Sequence, residues 1–151
     1  MMKECTLRSG GRLSSTHLNM RLCSISESRY HVQGAGHTVL FYEDKIEFRK
    51  SKTAQEQNLI TLQFKDANQH PLVNGKDELN SKAHYYLGAD PNNWQRNVPT
   101  YSSVYYKELY PGIDMGYIGS NGDLESEFYV SPGTDYHQIK LDYRGIKSKE
   151  I

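Results

Sequence analysis

Two glutamates near the end of the chain have a type and spacing that could do chemistry. Glu125 and Glu127 alternate along a stretch with the pattern of a strand, so both side chains would project from one face, roughly 6.5 to 7 Å apart. That separation reaches the range of the two carboxylates of a glycosidase. Catalytic pairs, however, normally face each other across a cleft from different elements. The pattern therefore favours an ordinary solvated sheet face, with a glycan-acting enzyme that uses Glu125 or Glu127 as an alternative.

The same stretch contains part of a calcium-loop pattern. Asn121, Asp123 and Glu125 occupy the first, third and fifth positions, but Ser126 and Pro132 stand where the loop needs Gly and Glu. The six histidines show no HxH or HxxxH spacing, and no GxSxG motif marks a nucleophilic serine. The sequence therefore predicts a protein that is not an enzyme and that uses no metal and no cofactor.

The most distinctive group of side chains is aromatic. It comprises the single tryptophan, Trp94, with Tyr85, Tyr86, Tyr101 and Tyr105 nearby in the sequence. Exposed rings on a β-sandwich can stack on sugar rings, and Trp and Tyr are also favoured at protein interfaces. The simpler interpretation is that Trp94 closes the end of the core while the tyrosines alternate in and out. Trp94, Tyr85, Tyr86 and Tyr101 are the candidate ligand-binding residues if the group faces solvent.

Alternating apolar residues predict the strands that must position these side chains. In 113–118 the core-facing residues would be Ile113, Met115 and Tyr117, and in 123–130 every second residue from Leu124 would face in, leaving the acidic residues wetted. Asn-Gly and Pro-Gly pairs predict the turns. Residues 65–81 are predicted to be a long loop containing Asn74-Gly75. The predicted strands are 30–32, 38–42, 45–49, 59–64, 101–107, 113–118, 123–130 and 139–143.

About eight short strands and no stretch of helical period predict an all-β fold, an antiparallel β-sandwich or an open barrel. Residues 28–151 would form this single domain, and residues 1–27 would be a disordered leader or a misassigned start, because they lack periodicity and are rich in Ser, Arg and Gly. The chain stops at 147–151, where a further strand begins, so the domain is expected to be truncated and incomplete at the carboxy terminus.

Charge and composition exclude several classes of partner. The 18 basic and 18 acidic residues balance, which argues against a nucleic-acid or anionic-membrane surface. The sequence has no apolar run long enough to span a membrane and no secretory signal peptide. The twelve tyrosines compensate for few aliphatic residues and predict a thin, Tyr-rich core. Cys5 and Cys23 do not fix the compartment, and whether they pair is left open.

The central stretch resembles the amino-terminal domain that precedes SBBP repeats, the predicted seven-bladed β-propeller repeats of large exported bacterial proteins. The matches cover residues 83–145 well and residues 30–66 more loosely. They are Tyr85-Tyr86-Leu87-Gly88, Asp90-Pro91, Trp94, Asn97-Val98-Pro99-Thr100-Tyr101, Val104, Tyr106, Leu109-Tyr110-Pro111-Gly112-Ile113-Asp114, Tyr117, Gly119, Asn121-Gly122, Leu124-Glu125, Phe128, Val130, Pro132-Gly133, Ile139-Lys140-Leu141 and Gly145.

The resemblance implies an extracellular or cell-surface location and a non-enzymatic module of a multidomain bacterial protein. Its work would be scaffolding or binding beside β-propeller repeats, with a neighbouring β-propeller domain or a surface protein as the partner. The alternative is a carbohydrate-binding module that uses Trp94 and the neighbouring tyrosines, so a glycan is the second expected partner. No activity can be assigned to particular residues through this resemblance.

Overall fold

The computed structural model describes residues 5–11, 20–22, 30–34, 37–53, 56–86, 88–120 and 123–145. Most of the described residues lie in strands, and they also contain two single-turn 3₁₀ helices, at Pro91–Asn93 and Tyr136–Gln138. The strands are β1 Cys5–Gly11, β2 Met20–Leu22, β3 Tyr30–Gly34, β4 His37–Phe41, β5 Lys45–Thr53, β6 Glu56–Phe64, β7 Leu72–Tyr85, β8 Gln95–Tyr110, β9 Ile113–Ser120, β10 Asp123–Val130 and β11 Leu141–Arg144.

The strands form two antiparallel sheets of five and four strands, packed as a sandwich. The first sheet has the order β7-β8-β9-β10-β1, and the second has the order β3-β4-β5-β6, extended at its edge by the short strand β11. Every described pairing is antiparallel, from β1 on β10 to β11 on β6. The predicted all-β sandwich is therefore confirmed.

The long strand β8 joins the two sheets. One edge of β8 pairs with β7 along most of its length. The other edge pairs with β2 at Thr100 and Tyr101, and with β9 from Ser103 onward. Since β2 also pairs with β3, the hydrogen-bonded ladder continues from the first sheet into the second.

The core lies between the facing sides of the two sheets, and tyrosine is prominent in it. Ring pairs in T-shaped geometry cross the interface, with centroids 5.2 Å apart for Phe41 and Tyr117 and 5.7 Å apart for Phe64 and Tyr106. The fully buried side chains are Tyr106, Tyr110, Phe41, Ile46, Leu62, Leu109, Ile113, Met115, Val32, Val39 and Val104.

Two buried tyrosine hydroxyls tie the first sheet to backbone of the second. Tyr106 Oη donates to the carbonyl oxygen of Tyr42 at 2.6 Å, and Tyr110 Oη lies 3.1 Å from the carbonyl oxygen of Lys65. Burial raises the pKa of Tyr106 well above its usual value, so its hydroxyl remains protonated as a donor. A buried carbonyl oxygen without a hydrogen-bond donor is energetically costly. Each hydroxyl is therefore placed to donate to a backbone carbonyl that the strand pairing of the second sheet leaves without a partner.

The β9–β10 hairpin matches the predicted alternation on its core face but not on its outer face. Ile113, Met115 and Tyr117 are buried, as are the alternate residues of β10 from Leu124. Glu127, predicted to be wetted, is only 7% exposed and accepts a hydrogen bond from Tyr129 Oη at 2.8 Å. The prediction is wrong at this position because Tyr129, two residues further along the same face of β10, places its hydroxyl against the Glu127 carboxylate. The turn predicted at 121–122 lies outside the described residues.

The predicted loop at 65–81 is wrong from Leu72 onward, since β7 begins there. Asn74-Gly75 lies within β7 rather than in a tight turn, and Gly75 pairs with Val104. A methyl group on Gly75 would lie 2.5 Å from the ring of Tyr101, so the glycine allows that ring to pack directly on the β7 backbone. Alternation of apolar residues does not predict β7, because only a few of its side chains, such as Val73 and Ala83, are apolar and buried.

Within residues 1–27, predicted to be a disordered leader or a misassigned start, the structure describes two strands, β1 and β2. β1 pairs with β10 over seven residues, from Cys5↔Val130 to Gly11↔Leu124. Backbone pairing to an edge strand needs no alternation of apolar residues, so β1 has no pattern from which it could be predicted. Cys23 lies outside the described residues, so the Cys5–Cys23 pairing does too.

The strand predicted at residues 139–143 differs from the observed structure in which of its side chains are buried. Of the three residues predicted to alternate inward, Ile139 precedes β11 and packs against the core, while Leu141 and Tyr143 are 37% and 47% exposed. β11 pairs with β6 at the edge of the second sheet, beyond the cover of the first. No helix in the described part of the chain is long and apolar enough to cross a membrane.

Candidate functional site

Four side chains lie close together at the end of the β7–β8 hairpin where the connector joins the two strands. We call this group the aromatic ladder, and it consists of His84, Tyr86, Trp94 and Arg96. His84 and Tyr86 are two positions apart where β7 ends, and Trp94 and Arg96 are two positions apart where β8 begins. Since alternate residues of an extended chain share a face, each pair presents both its side chains on one side of the hairpin.

Ring contacts hold the aromatic ladder together. The Tyr86 and Trp94 rings meet edge to face, with centroids 5.2 Å apart and planes at 87°. The His84 ring stacks against the outer side of Tyr86 at 6.4 Å. The Arg96 guanidinium carbon lies 5.4 Å from the Trp94 ring and 5.8 Å from the Tyr86 ring, within the range of a cation–π contact. One cation therefore sits beside two perpendicular rings.

The connector between the strands fixes Trp94. Asp90 caps the 3₁₀ turn by accepting a hydrogen bond from Asn92 N at 3.0 Å, and Trp94 N donates to the Pro91 carbonyl at 3.1 Å. Trp94 Nε1 donates to the Gly88 carbonyl at 3.0 Å. Because both nitrogens of Trp94 are held by the connector, its indole is oriented independently of any ligand.

His84 and Arg96 each supply N–H donors to the aromatic ladder. His84 Nδ1 accepts from the backbone N–H of Asn97 at 3.2 Å, which assigns the proton of the neutral ring to Nε2. Within the described residues no carboxylate lies at ion-pair distance from Arg96, whose contacts are with the two rings. The nearby Lys82 is already paired with Glu78. The site thus combines one uncompensated cation with aromatic surface.

The structure separates the predicted aromatic residues into different places. Trp94, half-buried, and Tyr86, which is 60% exposed, lie together in the aromatic ladder. Tyr101 instead packs over Gly75 and meets Tyr30 edge to face at 6.0 Å, on the side of the core. The side chain of Tyr85 lies outside the described residues. Their role as ligand-binding residues remains a prediction.

Tyr105 belongs to a second group on the outer face of the first sheet. Lys76 Nζ lies 3.6 Å above its ring, its hydroxyl donates to Asp114 Oδ2 at 2.8 Å, and the Tyr129 ring is 5.6 Å away. Asp114 Oδ1 also accepts from the backbone N–H of Glu108, which has a positive φ of 53° in the bulge of β8. These contacts shape the sheet and account for the side chains without a ligand.

Sequence reasoning missed His84 and Arg96. The signal that could have found them is their spacing, because each stands two residues from a ring that flanks the same connector. Tyr86 was found from its type alone, and the partners would have followed from the strand period. The obstacle was that residues 65–81 were assigned to a loop, so no strand was predicted to lead into His84.

The carboxylate pair considered for glycan chemistry lies on one strand. Glu125 is half-buried, and Glu127 is buried beneath the Tyr129 hydroxyl on the outer face of β10. No group of three or more His, Cys, Asp or Glu side chains within the described ranges is arranged to hold a metal ion.

A polar depression of about 580 Å³ lies at the end of the sandwich near the β4–β5 turn. Glu43 and Asp44 form one wall and residues 63–70 the other. Two of its carboxylates already have partners: Glu43 lies 3.4 Å from His70 Nδ1, and Asp66 lies 2.9 Å from Lys140 Nζ. Two of the three carboxylates that line the depression are therefore engaged in contacts within the protein.

The geometry defines an all-β sandwich domain with an exposed aromatic and cationic cluster at one hairpin end. The chain belongs to the family described as a domain of unknown function, DUF7948, which matches residues 20–151. No curated protein and no solved structure matches the chain.

Proposed function

We propose that this chain is a non-enzymatic β module of a multidomain exported or surface protein of bacteria, and that it binds or supports a neighbouring β-propeller domain or surface protein. The aromatic ladder is the contact. The observation that carries the proposal is the exposure of Tyr86, 60%, beside a fixed Trp94 and an uncompensated Arg96. The extracellular location rests on the resemblance to domains that precede propeller repeats.

The composition of the aromatic ladder suits a protein contact. Trp, Tyr and Arg are the residues enriched among those that dominate binding energy at protein interfaces. The connector holds Trp94 in place, so little conformational entropy is lost there on binding. A side chain of the partner can pack in the corner between the Tyr86 and Trp94 rings, which are perpendicular to each other.

The ring geometry favours a protein over a glycan. A sugar ring stacks on a flat aromatic face, and two such subsites need rings that lie in one plane. The Tyr86 and Trp94 planes meet at 87°, and Tyr101 packs elsewhere. The carbohydrate-binding alternative therefore has one exposed ring to use rather than a platform.

Site-directed photo-cross-linking tests the proposal in the cell that produces the protein. A benzophenone amino acid replaces Tyr86, and the matched control carries it at Tyr136, which is 55% exposed and also stacks on a histidine. We expect light to produce an adduct between position 86 and one exported polypeptide or repeat domain, identified by mass spectrometry. Position 136 should give none.

Three results would contradict the proposed function. They are the absence of a protein adduct at position 86, adducts of equal yield at both positions, and a change in Trp94 fluorescence on addition of a neutral polysaccharide. The last result would favour the carbohydrate-binding module. Hydrolysis of a glycan by the protein, lost in E125Q, would favour the enzyme.

A further inference from the structure

We infer that the partner segment bound by the aromatic ladder is acidic: it places an Asp or Glu carboxylate against Arg96 and the stem of that side chain against Tyr86. This inference rests on the proposed function and names the chemistry of the partner. It is carried by the charge at the site.

Arg96 has donors without an acceptor. A guanidinium carries five N–H groups in a planar fork, and the ring contacts at 5.4 and 5.8 Å satisfy its charge in part but use none of those donors fully. No carboxylate of the described residues lies within ion-pair distance of it. By contrast, the guanidinium groups of Arg49 and Arg144 lie 2.7 and 3.2 Å from the carboxylates of Glu47 and Asp142.

The charge of the chain as a whole is balanced, whereas the positive charge of Arg96 at the site is not. Its 18 basic and 18 acidic residues cancel, which removes a general attraction for polyanions. Lys82, the next cation along the hairpin, is paired with Glu78. An acidic group approaching this end of the hairpin therefore meets Arg96 as its available cation.

The neighbouring atoms fit a carboxylate as well. His84 accepts the Asn97 N–H through Nδ1, so its remaining ring nitrogen, Nε2, is a donor. Tyr86 offers an exposed ring next to both donors. A Glu or Asp side chain can make both kinds of contact with this surface. Its carboxylate oxygens can accept hydrogen bonds from the Arg96 guanidinium, and its methylene groups can pack on the Tyr86 ring.

The inference commits to an acidic peptide segment and not to an acidic polysaccharide. A polysaccharide of uronic acid residues would need successive rings in one plane beneath its sugars, whereas the Tyr86 and Trp94 rings stand at 87° to each other. A peptide can turn an apolar side chain into that angle and keep its carboxylate on Arg96.

Intrinsic fluorescence tests the inference directly, because Trp94 is the only tryptophan and lies within the site. The whole chain is titrated with poly-L-glutamate, poly-L-lysine and polygalacturonate at low ionic strength, and the poly-L-glutamate titration is repeated in about 0.5 M salt. The test variant is R96Q. The matched control is R144Q, because Arg144 is also an exposed arginine at a strand end but is paired with Asp142.

We expect poly-L-glutamate alone to change the Trp94 emission. The affinity should fall about 1.5- to fivefold in R96Q, the range for losing one exposed charge contact, and should weaken in high salt. R144Q should bind as the unchanged protein does. Far-UV circular dichroism of each variant verifies that the sheets are intact.

Other outcomes would overturn the inference. Poly-L-glutamate without effect, an R96Q variant that binds it equally well, or a response to polygalacturonate in its place would each do so. The two proposals fail separately. A protein adduct at position 86 together with indifference to poly-L-glutamate removes the acidic partner and leaves the protein contact standing.

Discussion

The close approach of Tyr101 to Gly75 makes a substitution that is normally favourable in a strand destabilising. In G75A the new methyl carbon would lie 2.5 Å from Cγ and Cδ2 and 2.8 Å from Cδ1 of Tyr101. Carbon atoms in contact prefer about 3.5 to 4.0 Å. Because Cγ is next to the Tyr101 backbone, rotation of the ring tip cannot relieve the overlap, and one of the paired strands must shift.

The expected cost follows from two opposing terms. Overpacking a strand interior costs about 1 to 3 kcal/mol. Replacing a strand glycine by alanine returns about 0.5 to 1 kcal/mol through backbone entropy. G75A should therefore lower the free energy of unfolding by up to about 2.5 kcal/mol, or the Tm by up to about 10 °C for a chain of this size.

A double-mutant cycle measures the contact. Urea unfolding, followed by far-UV circular dichroism, is compared for the unchanged protein, G75A, Y101T and the double variant. Without the ring, G75A should become neutral or stabilising, which gives a coupling of about 1 to 3 kcal/mol. Gly75 has no positive φ, so its backbone imposes no cost on alanine. A G75A penalty of equal size in both backgrounds would refute the reasoning, because it would mean that position 75 needs glycine for its conformation.

Two further predictions concern the second sheet. Y106F should lower the free energy of unfolding by about 1 to 3 kcal/mol, measured by urea unfolding, because the Tyr42 carbonyl loses its buried donor. For Glu47, burial raises the pKa, but the hydrogen bonds from Arg49 and Lys45 outweigh it, so the folded pKa lies below its usual value. The protein should then lose stability relative to E47Q as the pH falls from about 5 through that folded pKa, since this stabilisation is complete only above the unfolded value.

Matched controls exist for both. Y136F removes an exposed hydroxyl and should leave the urea midpoint unchanged, and for Glu47 the reference is E47Q measured over the same pH range. Equal effects in Y106F and Y136F would contradict the role of the buried hydroxyl. A constant difference between E47Q and the unchanged protein from pH 7 to 3 would contradict the ion-pair argument.

Most strands that the sequence predicts carry apolar side chains at alternate positions facing the core, although Ser126 in β10 is an exception and the strand predicted at 139–143 exposes Leu141 and Tyr143. Ile113, Met115 and Tyr117 illustrate the alternation. The strands that the sequence does not predict are held by neighbours. β1 lies on the edge of β10, and β7 depends on a glycine that receives the ring of a residue 26 positions further on. Such pairings arise in the folded sheet and leave no period in the chain.

Only part of the candidate site can be predicted from the sequence, again because strand pairing leaves no period in the chain. Trp94 and Tyr86 stand out by residue type, whereas Tyr101 shares the type but packs on Gly75. His84 and Arg96 join the site only when β7 and β8 are known to be paired strands that end together. Residue type therefore identifies the aromatic residues at the centre of such a surface, and the residues around them can be identified only from the strand register.

The position of the aromatic ladder at a hairpin end has a physical consequence for binding. β7 has no partner strand on its outer edge among the described residues, and a regular edge strand invites pairing with other chains. The β7 register shifts between Glu78 and Lys82, and Asp77 has a positive φ of 55°, so this edge is irregular as well as charged. Association through the edge is thereby disfavoured, while the side chains beyond the shift remain rigidly presented. A partner must then recognise side chains, and Tyr86, Trp94 and Arg96 are the ones offered there.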